Sequence, residues 1–315
     1  MSAGSRDSSS GETPHRAGFA CLVGRPNTGK STLTNALVGT KVAITSRRPQ
    51  TTRHAIRGIL TRPDAQLILI DTPGFHRPRT LLGERLNDVV RSTYAEVDVI
   101  GLCLPADEKI GPGDRFIATE LAKVRTPVLA LVTKSDKVGR RELGEQLAAV
   151  DQLARAGGPD FAEIVPVSAK QGDQLDTVED LLIARLPEGP SLYPEGELTD
   201  EPEQVMVAEL IREASLEGVQ DELPHSIAVV VEEMGLREGR AADRPLLDIH
   251  ATLYVERPSQ KAIVIGAGGS RLRDVGSESR RHIEALLGTP VYLDLHVTVA
   301  KDWQRDPKQL RKLGF

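Results

Sequence analysis

Residues 24–31 read Gly-Arg-Pro-Asn-Thr-Gly-Lys-Ser, the spacing of a loop that cradles phosphate, and they stand between an apolar run at 19–23 and a helical segment. That placement dictates a strand, a tight turn and a helix in succession. Only there do glycine amides and a helix N-terminus converge on one anion. In such a loop Gly24, Asn27, Thr28, Gly29, Lys30, Ser31 and Thr32 are the candidate phosphate ligands. Lys30 is expected to bridge the β- and γ-phosphates, and the Ser31 hydroxyl to ligate Mg2+.

The rest of the first half fits that unit. Strand-like runs at 19–23, 55–60, 66–70, 97–104, 128–132 and 164–167 alternate with helical patterns, which points to an α/β fold with a mostly parallel sheet and crossover helices. The clearest helix carries Leu175, Val178, Leu181, Leu182 and Leu186 on one face and stops at Pro187. With 315 residues there is chain for about two domains. Aromatics are 3% of the composition, so the cores must be mainly aliphatic. Cys21 and Cys103 both fall in apolar runs and read as core residues, which excludes a disulfide framework. No two histidines stand three or four apart, so the helical spacing of a zinc-peptidase site is missing. Residues 1–16 form a polar arm without an apolar signal core, expected to be disordered, and no apolar run approaches a membrane-spanning length. The expectation is a cytoplasmic protein without a transmembrane segment.

Three further motifs decide which phosphate compound is bound. Asp71-Thr72-Pro73-Gly74 ends the strand at 66–70, where a carboxylate can hold Mg2+ through water and the Gly74 amide can meet a γ-phosphate. Upstream, Thr52 is preferred over Thr51 as the threonine that completes the magnesium sphere. Thr133-Lys134-Ser135-Asp136 follows the strand at 128–132, at the edge of the sheet where ligands bind. An ionised Asp136 only accepts hydrogen bonds, so it suits the N1–H and exocyclic N–H of guanine and not the N1 lone pair of adenine. Ser168-Ala169-Lys170 can supply an amide to guanine O6 and a lysine stem over the base. GTP and GDP with Mg2+ are therefore the expected ligands, with Lys30, Thr52, Gly74 and Asn27 as the candidate catalytic residues.

Between 188 and 203 the composition turns to Pro, Gly and acid, and a linker is expected there between a domain at 17–187 and a second at 204–315. The second reads helix, strand, strand, helix, helix, strand and a short basic helical tail, a small α+β domain whose strand at 291–299 alternates strictly. Net charge over the whole chain is −5, but its sign is segregated. Fourteen acids stand against two arginines in 188–238, whereas 257–281 holds six bases against two acids. Gly266-Ala267-Gly268-Gly269 lies between two helical stretches, and Gly-x-x-Gly in that setting clamps a nucleic-acid backbone. Lys261, Arg271 and Arg273 would add charge beside it, while Leu272, Val275, Ile283 and Leu286 bury the opposite face of the second helix.

Gln50-Thr51-Thr52-Arg53-His54, Asp71-Thr72-Pro73-Gly74-Phe75, Glu222-Leu223-Pro224-His225-Ser226, Val264-Ile265-Gly266-Ala267-Gly268-Gly269 and the terminal Leu313-Gly314-Phe315 together resemble the bacterial Era family over residues 17–315. The resemblance implies a P-loop GTPase domain followed by a type II KH domain, a molecular switch that binds small-subunit (16S) ribosomal RNA near its 3′ end and assists small-subunit assembly. It implies a monomer whose contact with the inner face of the membrane, if made, is peripheral. In this light Asn27 matches a position that helps hold an activating K+ in related GTPases. Two departures stand out. Thr133 replaces the usual Asn of the guanine motif, and Phe75 stands where Ras-like proteins orient water with Gln, so unassisted hydrolysis should be slow, on the order of 10⁻⁴ to 10⁻² per second. The alternative is a GTP-regulated module acting on tRNA or a membrane-associated protein partner, with the C-terminal domain serving protein contact.

Overall fold

The computed structural model describes residues 14–45, 52–53, 55–75, 80–217, 226–241 and 243–315. The polar arm before residue 14, Thr51 and most of the Glu222-Leu223-Pro224-His225-Ser226 motif lie outside these residues.

The N-terminal half is a six-stranded sheet in the order β2-β3-β1-β4-β5-β6, built from β1 (Arg16–Val23), β2 (Ile56–Arg62), β3 (Ala65–Asp71), β4 (Val99–Pro105), β5 (Val128–Thr133) and β6 (Phe161–Pro166). Each neighbouring pair is parallel except β2 and β3, which form an antiparallel hairpin at the edge. Strands β3, β4 and β5 are buried along their whole length, as aliphatic runs covered on both faces must be. One face packs on α1 (Lys30–Val38) and α5 (Leu175–Ile183) through Leu33, Leu37, Val178 and Leu182. The other packs on α2 (Leu81–Glu96), α3 (Pro112–Leu121) and α4 (Arg140–Arg155) through Val90, Ile117 and Val150. Cys21 and Cys103 are fully buried, and burial pushes the Cys103 thiol up to about 12.

The stretch at 188–203 is a strap rather than a loose tether. Gly189 donates to the His15 carbonyl at 3.0 Å, and Ile59 at the sheet edge donates to Leu198 at 2.9 Å. Buried Gln66 accepts from the Leu192 and Tyr193 amides at 2.7 and 2.8 Å and donates to the Tyr193 carbonyl at 3.0 Å. One amide side chain thus satisfies backbone groups that a proline-rich segment cannot pair within itself.

The C-terminal half follows the expected order: α6 (Glu203–Leu216), β7 (Ala228–Leu236), β8 (Leu247–Val255), α7 (Pro258–Ile265), α8 (Ser270–Leu287), β9 (Val291–Val299) and α9 (Pro307–Lys312). β8 pairs antiparallel with β7 and parallel with β9, so the α7–α8 pair is the crossover that a parallel connection demands. Ile249, Leu253 and Val255 of the sheet meet Val207, Ile211, Val264 and Ile283 from the helices. Leu286 corrects the sequence reading: it is 38% exposed. The buried stripe of α8 runs Val275, Ser279, Ile283 at steps of four, and Leu286 falls beside that line.

The halves share a core. Ile44, from the loop after α1, is 3% exposed among the C-terminal hydrophobic residues. Leu82 and Leu86 of α2 pack with Trp303, Leu310 and Leu313. Glu213 of α6 pairs with Lys41 at 2.5 Å and accepts from the Thr45 amide at 2.8 Å. Replacing Ile44 by alanine should cost about 2 to 5 kcal/mol by the transfer and cavity terms. Urea unfolding followed by Trp303 fluorescence would read this as a lower midpoint; an unchanged midpoint would remove Ile44 from that core.

Candidate functional site

The ends of β1, β3, β5 and β6 deliver the four N-terminal motifs to one rim of the sheet, the rim beyond the carboxyl ends where open α/β sheets bind ligands. The phosphate loop leaves β1 at Gly24, where an added Cβ would lie 2.7 Å from the Cys103 carbonyl and from Thr28 Oγ1. Asn27 (φ 65°) and Gly29 (φ 94°) turn it through the left-handed region, which asparagine and glycine tolerate best. Lys30, the first residue of α1, is 5% exposed and donates to the carbonyls of Gly24 at 3.2 Å and Arg25 at 2.9 Å. Burial holds its ammonium below the usual range, with the Asp71 carboxylate pulling the other way. Thr32, exposed, lines the crevice with Asn27, Gly29, Lys30, Ser31 and Thr52.

Ser31, Thr52 and Asp71, the three residues assigned to magnesium, meet. Ser31 Oγ donates to Asp71 Oδ2 at 2.6 Å, Thr52 Oγ1 donates to the same oxygen at 3.1 Å, and the two hydroxyls lie 3.0 Å apart. Asp71 is fully buried, and its Oδ1 has no hydrogen-bond partner among the described residues. Burial raises its pKa; Ser31, Lys30 and Thr52 oppose the rise. A buried carboxylate with one orphaned oxygen and two hydroxyls beside it is a hard oxygen set that fits Mg2+. Gly74 closes over the loop so tightly that a Cβ would fall 2.8 Å from the Pro26 backbone. Phe75 turns away into the core, 1% exposed and stacked on Phe116 at 5.5 Å, so it offers nothing to a water at the phosphate end.

At the other end of the rim, Lys134 adopts a left-handed conformation (φ 57°) that starts a short 3-10 turn carrying Asp136. Asp136 lies exposed, its Oδ1 accepting from Ser168 Oγ at 2.6 Å; Ser168 Oγ also takes the Gln171 amide at 3.1 Å. The Ala169 and Lys170 amides are not engaged within that turn. Thr133 faces the phosphate loop instead of the base end. Its Oγ1 donates to the Thr28 carbonyl at 2.5 Å, tying β5 to the loop. Lys134 Nζ stands 3.6 and 3.5 Å from Asp107 and Glu108.

In the C-terminal half, residues 266–269 form a tight turn between α7 and α8 with positive φ at Gly266, Gly268 and Gly269. A Cβ at Gly266 would lie 2.8 Å from Arg271 Cβ, whereas Gly268 meets nothing within 4 Å. Ala267 sits between them, and Lys261 is half-buried on α7. Arg273 Nη1 folds back on the Gly268 carbonyl at 2.8 Å. Arg271 points elsewhere: it donates to the carbonyls of Ser215 and Glu217 at 3.2 and 2.6 Å, holding the end of α6.

Two groups carry roles that sequence reasoning left unassigned. Arg25 pairs with Asp114 of α3 at 2.7 Å and Glu108 at 3.0 Å, bracing the phosphate loop from outside. Arg53, next to Thr52, is 2% exposed and reaches the C-terminal half, donating to the Ile227 carbonyl at 2.6 Å. Burial, then nearby Arg212, pulls its pKa down to about 9, so it stays charged at neutral pH. Its guanidinium also lies over the ring of Trp303, the chain's one tryptophan, a residue that stands out in a sequence so poor in aromatics.

A family model described as "50S ribosome-binding GTPase" matches residues 19–134, and a KH-domain model matches 222–304. The chain is 75% identical over 305 residues to GTPase Era of Streptomyces coelicolor, covering 96% of each. It is 66% identical to that of Mycolicibacterium smegmatis, covering 96% of this chain and 100% of the relative. Among solved structures it superposes, with a TM-score of 0.90 and 36% identity, on Era in complex with MgGDPNP and nucleotides 1506–1542 of 16S ribosomal RNA, over 95% of this chain and 99% of that one. An Aquifex aeolicus Era variant bound to GDP and aluminium fluoride gives a TM-score of 0.89 at the same identity and coverage.

Thr133→Val keeps the shape and deletes the hydroxyl, leaving the Thr28 carbonyl without its donor at a cost of about 1 to 3 kcal/mol. A thermal melt should show the loss, together with weaker nucleotide binding; an unchanged melt would mean the bond is not made.

Proposed function

This chain belongs to the bacterial Era family of GTPases, and from that premise we propose that it is a GTP-driven switch that binds small-subunit ribosomal RNA near its 3′ end and assists assembly of the small ribosomal subunit. The observation that carries the reading is the single rim that holds Lys30 and the Ser31–Thr52–Asp71 triangle at one end and Asp136 at the other. In this proposal residues 17–187 form the GTPase domain, 188–203 connect, and 204–315 form the RNA-binding domain.

The chemistry follows from charge placement. Lys30 exchanges its carbonyl partners for the β- and γ-phosphate oxygens, and the amides of residues 24 and 27–32 surround those oxygens. Ser31, Thr52 and Asp71 would hold Mg2+, which neutralises charge developing on the phosphates. The Gly74 amide reads the γ-phosphate, a contact that hydrolysis removes. Asp136 takes the two guanine N–H groups, with Ser168 fixing its orientation, an Ala169 or Lys170 amide meeting O6, and the Lys134 and Lys170 stems flanking the base. Thr133 contributes by holding the loop rather than by touching the base. Phe75 is buried, so the attacking water must be oriented by other groups.

On the RNA side, the turn at Gly266, Ala267, Gly268 and Gly269 admits a phosphodiester backbone closely, with Lys261 and Arg273 near it. Arg271 acts indirectly, by bracing the turn against α6. The relative with the same fold was solved with nucleotides 1506–1542 of 16S ribosomal RNA, and that stretch is the proposed ligand. The proposal extends to a monomeric cytoplasmic protein whose membrane contact, if made, is peripheral. No helix among the described residues is long and apolar enough to cross a membrane.

Filter binding with RNA of that stretch tests the reading. Gly268→Asp meets no neighbouring atom, sits at a positive φ that asparagine-like side chains tolerate better than most, and places a negative charge on the backbone clamp, so affinity should fall by about tenfold. Unchanged affinity would overturn the RNA assignment. The Asn27 role predicts faster hydrolysis in K+ than in Na+ at equal ionic strength, and equal rates would remove it.

A further inference from the structure

Thr52 and Arg53 are consecutive residues with partners in different halves of the molecule. Thr52 Oγ1 sits in the magnesium triangle, and Arg53 is docked on the C-terminal domain. The Arg53 guanidinium carbon lies 5.4 Å from the centroid of the Trp303 ring and 5.8 Å from that of Phe315. Those two rings stack at 5.6 Å with an interplanar angle of 20°. Trp303 is itself fixed, fully buried and donating from Nε1 to the Ser226 carbonyl at 3.0 Å. The same aromatic plate takes a second contact from the GTPase domain. Arg85 of α2 donates to the Phe315 carbonyl at 2.6 Å, and Leu82 and Leu86 pack around Trp303. Arg53 and α2 therefore both contact the extreme C-terminus.

Adjacent Cα atoms are about 3.8 Å apart and the peptide between them is planar, so where Arg53 is anchored limits where the Thr52 hydroxyl can go. A buried guanidinium cannot be moved without a new home for its charge. We propose that Arg53 is a positioning residue: its clamp on the Trp303–Phe315 plate sets Thr52 against Ser31 and Asp71, so that Mg2+-dependent GTP affinity requires the C-terminus to be seated. This deepens the GTPase reading and rests on it.

The full chain tests the idea with Arg53→Lys, which keeps the charge but loses the flat fork, with Phe315→Ala, and with the two combined. The measurements are binding of the non-hydrolysable analogue GDPNP as a function of Mg2+, binding of GDP in EDTA, and thermal melting. Each single variant should raise the Mg2+ concentration for half-maximal GDPNP binding by about tenfold, a usual size for coupling between sites. The double variant should add little to either, because both changes cut one path. GDP binding in EDTA should stay as in the wild type. Unmoved Mg2+ requirements, additive effects in the double variant, or losses that merely track GDP affinity and melting would each overturn the proposal. If Arg53→Lys does not fold, Phe315→Ala decides alone. A wild-type chain that binds neither nucleotide would instead remove the GTPase reading, and the proposal with it.

Discussion

The Asp71 carboxylate is buried at the end of β3 with two hydroxyls on one oxygen and, among the described residues, nothing on the other, and the N-terminal half is arranged around it. A buried, half-satisfied carboxylate is costly unless a cation or protons complete it. The surrounding sheet tolerates the cost because β3, β4 and β5 are buried along their whole length, mostly by aliphatic side chains, and fix the strand that carries the group. Lys30 shares that environment: its ammonium is desolvated and held by carbonyls that a phosphate would replace. The site is thus built with charges in place before a ligand arrives, which is how preorganised electrostatics reduce the reorganisation a reaction requires.

The joint between the halves is built differently from either core. Apolar contacts at Ile44 and at Leu82 and Leu86 are interleaved with buried ionic groups, among them Glu213, paired with the exposed Lys41, the Glu209–Arg212 pair at 2.6 Å, and Arg53. Ion pairs of this kind add little net stability, since desolvation offsets attraction, but they penalise any alternative arrangement that leaves a charge unpaired. The strap at 188–203 contributes by tying the chain to the sheet edge up to the start of α6.

Much was legible along the chain because its determinants are local. The phosphate loop, Asp71 at a strand end, Asp136 after β5 and the glycine turn at 266–269 are each set by a few consecutive residues and by a strand or helix whose periodicity is read directly. What periodicity could not resolve was the exact azimuth on a helix, which is why Leu286 belongs to the surface and not to the stripe through Val275 and Ile283. Spacing likewise could not say that Arg271 supports α6 or that a proline-rich segment would be held by Gln66, since both depend on residues more than fifty positions away.

By itself, then, the sequence determined the two modules, the order of their elements and the chemistry of each motif, because backbone conformation and hydrogen-bonding type are properties of short segments. Tertiary structure alone decided that Ser31, Thr52 and Asp71 share one point, that Thr133 braces the loop, and that Arg53, next to Thr52, turns to the aromatic rings at the C-terminus. Those are meetings between residues 19 to 262 positions apart in the numbering, and only the closing of a common core, with its demand that buried polar groups find partners, brings them together.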